Sequence, residues 1–168
     1  MNLEEAKRQF IMGWGAFGTN WGINRTMAQI HALLLISPDP LTQDDMMEAL
    51  NISRGNANMN IRDLIGWGLA ERVIIAGERK EYFTAEKDIW KVVRQIVKER
   101  KKRELEPILQ LMEKLEQTEG DKRDREMKAF TEVVTGIKKL GLQADKTLET
   151  LIKAEENWFI SNLIKIFR

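Results

Sequence analysis

The chain has 168 residues, 27 of them basic and 26 acidic, for a formal net charge of +1. That length suits one compact domain or a small domain with extensions, and 43% hydrophobic residues suffice for a core, which excludes wholesale disorder. The lack of cysteine excludes a disulfide scaffold, thiolate metal sites and thiol catalysis, and the near-neutral balance argues against a uniformly basic coat while leaving room for a local basic patch.

Glu4 and Glu5 stand where a secretory signal would carry only positive charge. The apolar stretch from Phe10 to Ile23 holds Gly13, Gly15, Gly18 and Gly22, and it is shorter than the ~20 apolar residues of a membrane span. It predicts a helix that packs closely through small residues, in a soluble cytoplasmic protein with no membrane partner. That first helix is expected from Asn2 to about Phe17, with Gly18-Thr19-Asn20 as its break. A second follows from Arg25 to Ile36, with Met27, Ile30, Leu33 and Leu34 on one stripe, and Pro38 and Pro40 stop it. Thr42 opens a short third helix, and Asp45 three residues on makes a variant capping box. Asn51-Ile52 forms a tight turn. Ser53 caps a fourth helix that runs to about Trp67, with its C-terminal cap near Gly68.

The texture then changes. Val73-Ile74-Ile75 and Tyr82-Phe83-Thr84 read as strands, and the polar stretch Ala76–Glu81 between them as a hairpin tip. From Asp88 the chain is helical again. One helix is expected to about Gln117. A second runs from Lys122 to Leu140, with Met127, Phe130, Val134 and Ile137 at heptad-like spacing, and Gly141 ends it. A third starts at Gln143 and carries Leu148, Leu151, Ile152, Trp158, Phe159, Leu163 and Ile164.

Helix, helix, turn, helix and hairpin is the order of a winged helix-turn-helix. The fold class expected is mainly α, with that domain over residues 23–86, an N-terminal dimerisation helix over 1–22 and a helical dimerisation region over 87–168. At about 100° per residue from Ser53, Ala57, Ile61 and Leu64 fall near 40°, 80° and 20° on the fourth helix and share an inward face. The opposite face presents Gly55, Asn58, Met59 and Arg62, with Arg54 and Asn56 toward its edges. Asparagine pairs bidentately with adenine and arginine with guanine in the major groove, and Ser53 with the first-turn amides suits a phosphate. Gly55 lets the backbone approach DNA, and Met59 can touch a thymine methyl. Asn56, Asn58 and Asn60 crowd a helix that asparagine disfavours, so a reading face explains them better than an ordinary polar surface. At the hairpin tip, Arg79 suits the minor groove and Lys80 a phosphate. Charge agrees: the net is −3 over residues 1–53, +6 over 54–103 and −2 over 104–168.

Several stretches together resemble the GbsR-type branch of the MarR superfamily of transcriptional regulators. They are Gly22–Ala28, Ile52–Asn56, Leu64–Leu69, Gly77–Phe83 and Ala85–Trp90, and the likeness extends over about residues 10–110. The resemblance implies a dimeric, cytoplasmic, bacterial or archaeal regulator that binds double-stranded DNA. It places Ser53, Arg54, Asn56 and Asn58 in the reading helix and makes Arg79 the wing arginine. Met59 departs from the commoner pattern, in which that position is polar or basic. Regulators of this branch are linked to choline or glycine betaine, and an aromatic cage holds quaternary ammonium groups; Trp14, Phe17, Trp21 and Trp90 are the candidates here. Packing at the core and dimer interface is the simpler use of such rings.

Enzyme chemistry is not expected. His31, the only histidine, lies in an apolar helical run, no nucleophile has a base beside it, and no metal-ligand spacing or cofactor loop is present. Asp44 and Asp45 point apart on a helix and suit its dipole instead. The expectation is therefore a sequence-specific regulator, with a repressor as the leading form, reading an inverted repeat as a homodimer. The alternative is a winged-helix module that packs on a protein partner.

Overall fold

The computed structural model describes residues 1–121 and 123–154. Trp158, Phe159, Leu163 and Ile164, expected on the last helix, lie outside the described residues, as does Lys122. Two compact units divide the chain, one of Met1–Val92 and one from Val93 onward.

The first unit opens with α1 (Leu3–Asn20), where the Asn2 side chain accepts from the Glu5 amide at 2.9 Å. The helix does not break at Gly18. A Cβ there would lie 2.6 Å from the Cβ of Ala28, and one at Gly15 would lie 2.7 Å from Cγ of Gln29. These two buried glycines serve close approach to α2 (Arg25–Ile36) rather than chain reversal; the reversal falls at Gly22, with φ +75°. Asn24 caps α2 by accepting from the Met27 amide at 3.1 Å. Ile30, Ala32 and Leu34 of α2 form the middle of the core. At the other end of α2 the Lys87 ammonium donates to the carbonyls of Leu34, Leu35 and Ser37, which satisfies acceptors that the helix leaves open.

Next come β1 (Leu41–Thr42) and α3 (Gln43–Leu50). The capping box forms as its residues suggest: Thr42 Oγ1 accepts from the Asp45 amide at 3.2 Å, and Asp45 Oδ2 accepts from the Thr42 amide at 2.7 Å. Asn51 turns the chain in the left-handed region at φ 50°, which asparagine tolerates. α4 (Arg54–Gly66) follows, and Gly68 at φ +67° ends it, with the Leu69 amide returning to the Leu64 carbonyl at 2.9 Å.

The hairpin consists of β2 (Ala70–Val73) and β3 (Tyr82–Ala85), antiparallel, with Ala70 opposite Ala85 and Val73 opposite Tyr82. Strand β2 starts earlier than the β-branched run suggests, because the turn at Gly68 releases the chain directly into pairing with β3. Ile74 is left in the loop, 91% exposed. Unforeseen, β1 pairs with the other edge of β3, Leu41 opposite Phe83, so the sheet order is β1-β3-β2. This helix-turn-helix with a three-stranded antiparallel sheet is a winged helix.

α5 (Ile89–Arg100) leads into the second unit. The single long helix expected there is interrupted by a π turn over Lys101–Leu105 before α6 (Glu106–Leu115). Proline removes a donor and clashes with the carbonyl four residues back; Pro107 enters the first turn of α6, and the wider turn, in which the Glu106 amide reaches the Lys101 carbonyl, relieves that conflict. α7 (Arg125–Lys153) passes straight through Gly141. A Cβ there would lie 2.7 Å from Cδ2 of Leu109, so this glycine lets α7 lie against α6. Val134 and Gly141 are the buried positions of α7, whereas Phe130 and Ile137 on the same stripe are exposed, so the expected seam is only partly covered among the described residues. Lys101 ties the unit together, 3.0 Å from Asp145, 3.4 Å from Glu106 and 3.7 Å from Glu149. The hydrogen bond to Asp145 holds that ammonium above the usual lysine range.

Candidate nucleic-acid interface

The face of α4 divides as its periodicity requires. Ala57, Ile61 and Leu64 are buried against the rest of the first unit. Gly55, Asn58, Met59 and Arg62 are exposed together on the other side, and a Cβ at Gly55 would meet open space. Ser53 caps the helix, its Oγ accepting from the Asn56 amide at 3.3 Å, so its hydroxyl proton stays available to a phosphate oxygen.

The three asparagines do not act alike. Asn60 is fully buried, and its Nδ2 donates to the main-chain carbonyl of Asn56 at 2.8 Å and to Asn56 Oδ1 at 2.7 Å. Asn56 is half-buried with its side-chain acceptor taken, which leaves its own amide protons as the group it can offer. Asn58 alone of the three stands fully outward. At about 100° per residue Asn60 falls on the inward arc beside Leu64, so it serves the packing of α4 and not the outward face on which the three asparagines are expected together.

The wing tip turns at Gly77, φ +88°, where the Glu78 amide donates to the Ile75 carbonyl at 3.1 Å. Arg79 and Lys80 follow, both exposed, and Arg72 and Glu81 pair across the hairpin at 2.8 Å. Two residues of α3 that the sequence did not single out for this surface reach into it. Gln43 Nε2 donates to the Arg54 carbonyl at 2.8 Å. Asp44 Oδ1 accepts from the Arg54 guanidinium at 2.8 Å, and its Oδ2 lies 4.0 Å from the Lys80 ammonium. Ten residues separate Asp44 from Arg54, so no local spacing signals the pair. The neighbouring Asp45 carboxyl is held below the usual range by its hydrogen bond with Thr42.

The aromatic residues form a ladder along α1. Phe10 and Trp14 stack at 5.7 Å between centroids, Trp14 and Phe17 lie 5.9 Å apart, and Phe17 and Trp21 lie 5.4 Å apart. Trp14 also meets the His31 ring at 6.1 Å. Trp90 is half-buried at the start of α5. Burial pushes the His31 imidazole down to about 4.

Among the described residues no helix is long and apolar enough to cross a membrane. Residues 21–81, from the end of α1 to the tip of the wing, match the model of the MarR family. HTH-type transcriptional regulator MmpR5 of Mycobacterium tuberculosis is 29% identical over 84 residues, which are 49% of this chain and 51% of that one. The Bacillus subtilis protein YvaV is 23% identical over 88 residues, 52% of this chain and 50% of its own. The chain thus spans about half the length of the curated relatives it matches. A solved structure of a transcriptional regulator superposes with a TM-score of 0.57 at 19% identity, covering 83% of this chain and 95% of that one, a likeness of fold. The winged-helix segment of this chain is therefore similar to the MarR family over residues 21–81.

Proposed function

We propose that the protein is a sequence-specific DNA-binding transcriptional regulator of the GbsR-type branch, a cytoplasmic homodimer that represses by occupying an inverted-repeat operator. One observation carries the reading. The outward face of α4 is polar and unencumbered at Gly55, Asn58 and Arg62, while the basic wing tip at Arg79 and Lys80 follows on the same unit. In this reading α4 enters the major groove, with Asn58 and Arg62 at base edges and Met59 against a thymine methyl. Arg54, Asn56 and Ser53 meet base edges or phosphates at its N-terminus. Arg79 enters the adjacent minor groove and Lys80 a phosphate.

In this reading residues 23–86 read DNA, while residues 1–22 and 87–168 dimerise. An effector belongs to the same reading. Trp14, Phe17 and Trp21, with Trp90, hold a quaternary ammonium compound; the partly exposed rings of the α1 ladder support this. Choline or glycine betaine should then quench tryptophan fluorescence saturably, and Trp21→Ala should weaken that response.

Selection of bound duplexes from random sequence tests the main reading. A regulator enriches a palindromic consensus and loses affinity with salt at a slope of about −0.9 per phosphate contact. No enrichment and a flat salt profile would instead favour a winged-helix module that packs on protein.

A further inference from the structure

Asp44 stands where α3 meets two elements that the proposed function uses, α4 and the wing. It lies in the first turn of α3, and its two carboxylate oxygens face Arg54 at the start of α4 and Lys80 of the wing, at 2.8 and 4.0 Å. Its neighbour Gln43 holds the Arg54 carbonyl at 2.8 Å. The helix dipole alone does not explain this placement, because Asp45 already supplies a carboxylate to the same helix end through the capping box. Nor does stability explain it. Asp44, Arg54 and Lys80 are all more than half exposed, and ion pairs so exposed to water contribute little to folding.

What the geometry does supply is one anion on which cations from the reading helix and the wing converge. We propose that Asp44 is a built-in counter-anion: it occupies, in the free protein, the position that a DNA backbone phosphate takes between Arg54 and Lys80, and so lowers sequence-independent affinity. The inference rests on the DNA-binding reading. Its physical content is competition. A phosphate must displace a carboxylate from a guanidinium before Arg54 counts as a phosphate contact, so part of the charge counted on this surface is silent until DNA arrives. The carboxylate also keeps the two cations aimed at one place, so the displacing anion finds them converged.

The test uses the full chain, a duplex selected by the wild-type protein, and a scrambled duplex of the same length and composition. Asp44→Asn should raise affinity for the scrambled duplex about twofold to fivefold, the range an exposed ion pair allows, and should steepen the salt slope by up to about 0.9. A mutant cycle with Arg54→Ala gives the decisive sign. If Asp44 restrains Arg54, then Arg54→Ala costs more affinity in the Asp44→Asn background than in the wild type. If Asp44 merely repels DNA, removing Arg54 unmasks it, and the cost is larger in the wild type; that outcome overturns the proposal. Unchanged affinity and slope in Asp44→Asn overturn it as well. Should the wild-type protein bind neither duplex, the regulator reading falls and this inference with it. Should it bind the selected duplex with the cycle of the wrong sign, only the role of Asp44 falls.

Discussion

Asn58 and Arg62 stand one helical turn apart on the outward side of α4, and Asn58 gives the cleaner test of base reading. Asn58→Ala should relax preference at one operator position and cost about 1–3 kcal/mol in binding if the contact is bidentate, as competition with single-base variants of the selected site would show. Asn56 is a poorer probe. Its removal takes from the buried Asn60 Nδ2 one of two acceptors and leaves it the main-chain carbonyl of residue 56, and a hydrogen bond lost in that way costs about 0.5–1.5 kcal/mol of stability by itself. Arg79→Ala should weaken binding most at sites with narrow, A/T-rich flanks.

His31 offers a second residue-scale prediction, on stability. Its ring is buried against Trp14 and its pKa is pushed down to about 4. The unfolded chain takes up this proton near pH 6.5, and the folded chain only near pH 4. Between those values the unfolded state binds more protons, so stability falls as pH falls through that window and levels off below it. The full extent is about 3 kcal/mol. Urea midpoints at pH 7 and pH 4.5 should therefore differ, and His31→Leu should remove that part of the difference. Asp45 acts in a separate window. Its lowered carboxyl contributes stability above its ordinary value of 3.8, which is lost as pH falls through the folded value.

At the scale of the element, glycines separate what the sequence discloses from what it withholds. Gly18 and Gly141 both read as breaks, and both turned out to lie inside helices. A glycine that ends a helix and one that admits a neighbouring helix are the same letter, and only the partner across the gap tells them apart. Substitutions should separate them again. Gly136→Ala, with nothing within 4 Å of the added methyl, should stabilise by about 0.5–1 kcal/mol through helix propensity. Gly18→Ala meets the Cβ of Ala28, which has no rotamer by which to yield, and should destabilise by about 1–3 kcal/mol. Thermal or urea unfolding of the two variants checks both signs. By contrast, α2, the Thr42 capping box and the Ser53 cap were legible to the residue, because caps and hydrophobic stripes are local chemistry. So was the burial of Ala57, Ile61 and Leu64. Strand β1 was not, because two residues carry no period. Nor was the Asp44–Arg54 pair, since it depends on how the turn at Asn51 sets α3 against α4.

For the whole molecule, exposed apolar side chains argue for the proposed homodimer. Phe17 and Trp21 are exposed on α1, and on α7 Val133 and Leu140 are 61% and 68% exposed, with Phe130 and Ile137 on the same stripe. Soluble monomers rarely leave such patches open. Sedimentation equilibrium at micromolar concentration should give a dimer, and Leu140→Arg should weaken it if α7 lies in the interface. Two reading helices related by a two-fold axis would then sit ~34 Å apart, and the half-sites of the operator ~10 base pairs apart, centre to centre.

The β1–β3 pairing has a kinetic consequence. The contacts among α2, α3 and α4 join segments close in sequence and can form early. Leu41 must wait for Phe83, more than forty residues away, and closing a loop of that size has an entropic cost that two residue pairs repay poorly. This ladder should form late and open first, so the backbone amides that join β1 to β3 should exchange with solvent sooner than those of α2. When it opens, β3 loses one of its two neighbouring strands, while α4 keeps the buried face that holds it on the core. Refolding would therefore assemble the part that reads before the part that grips.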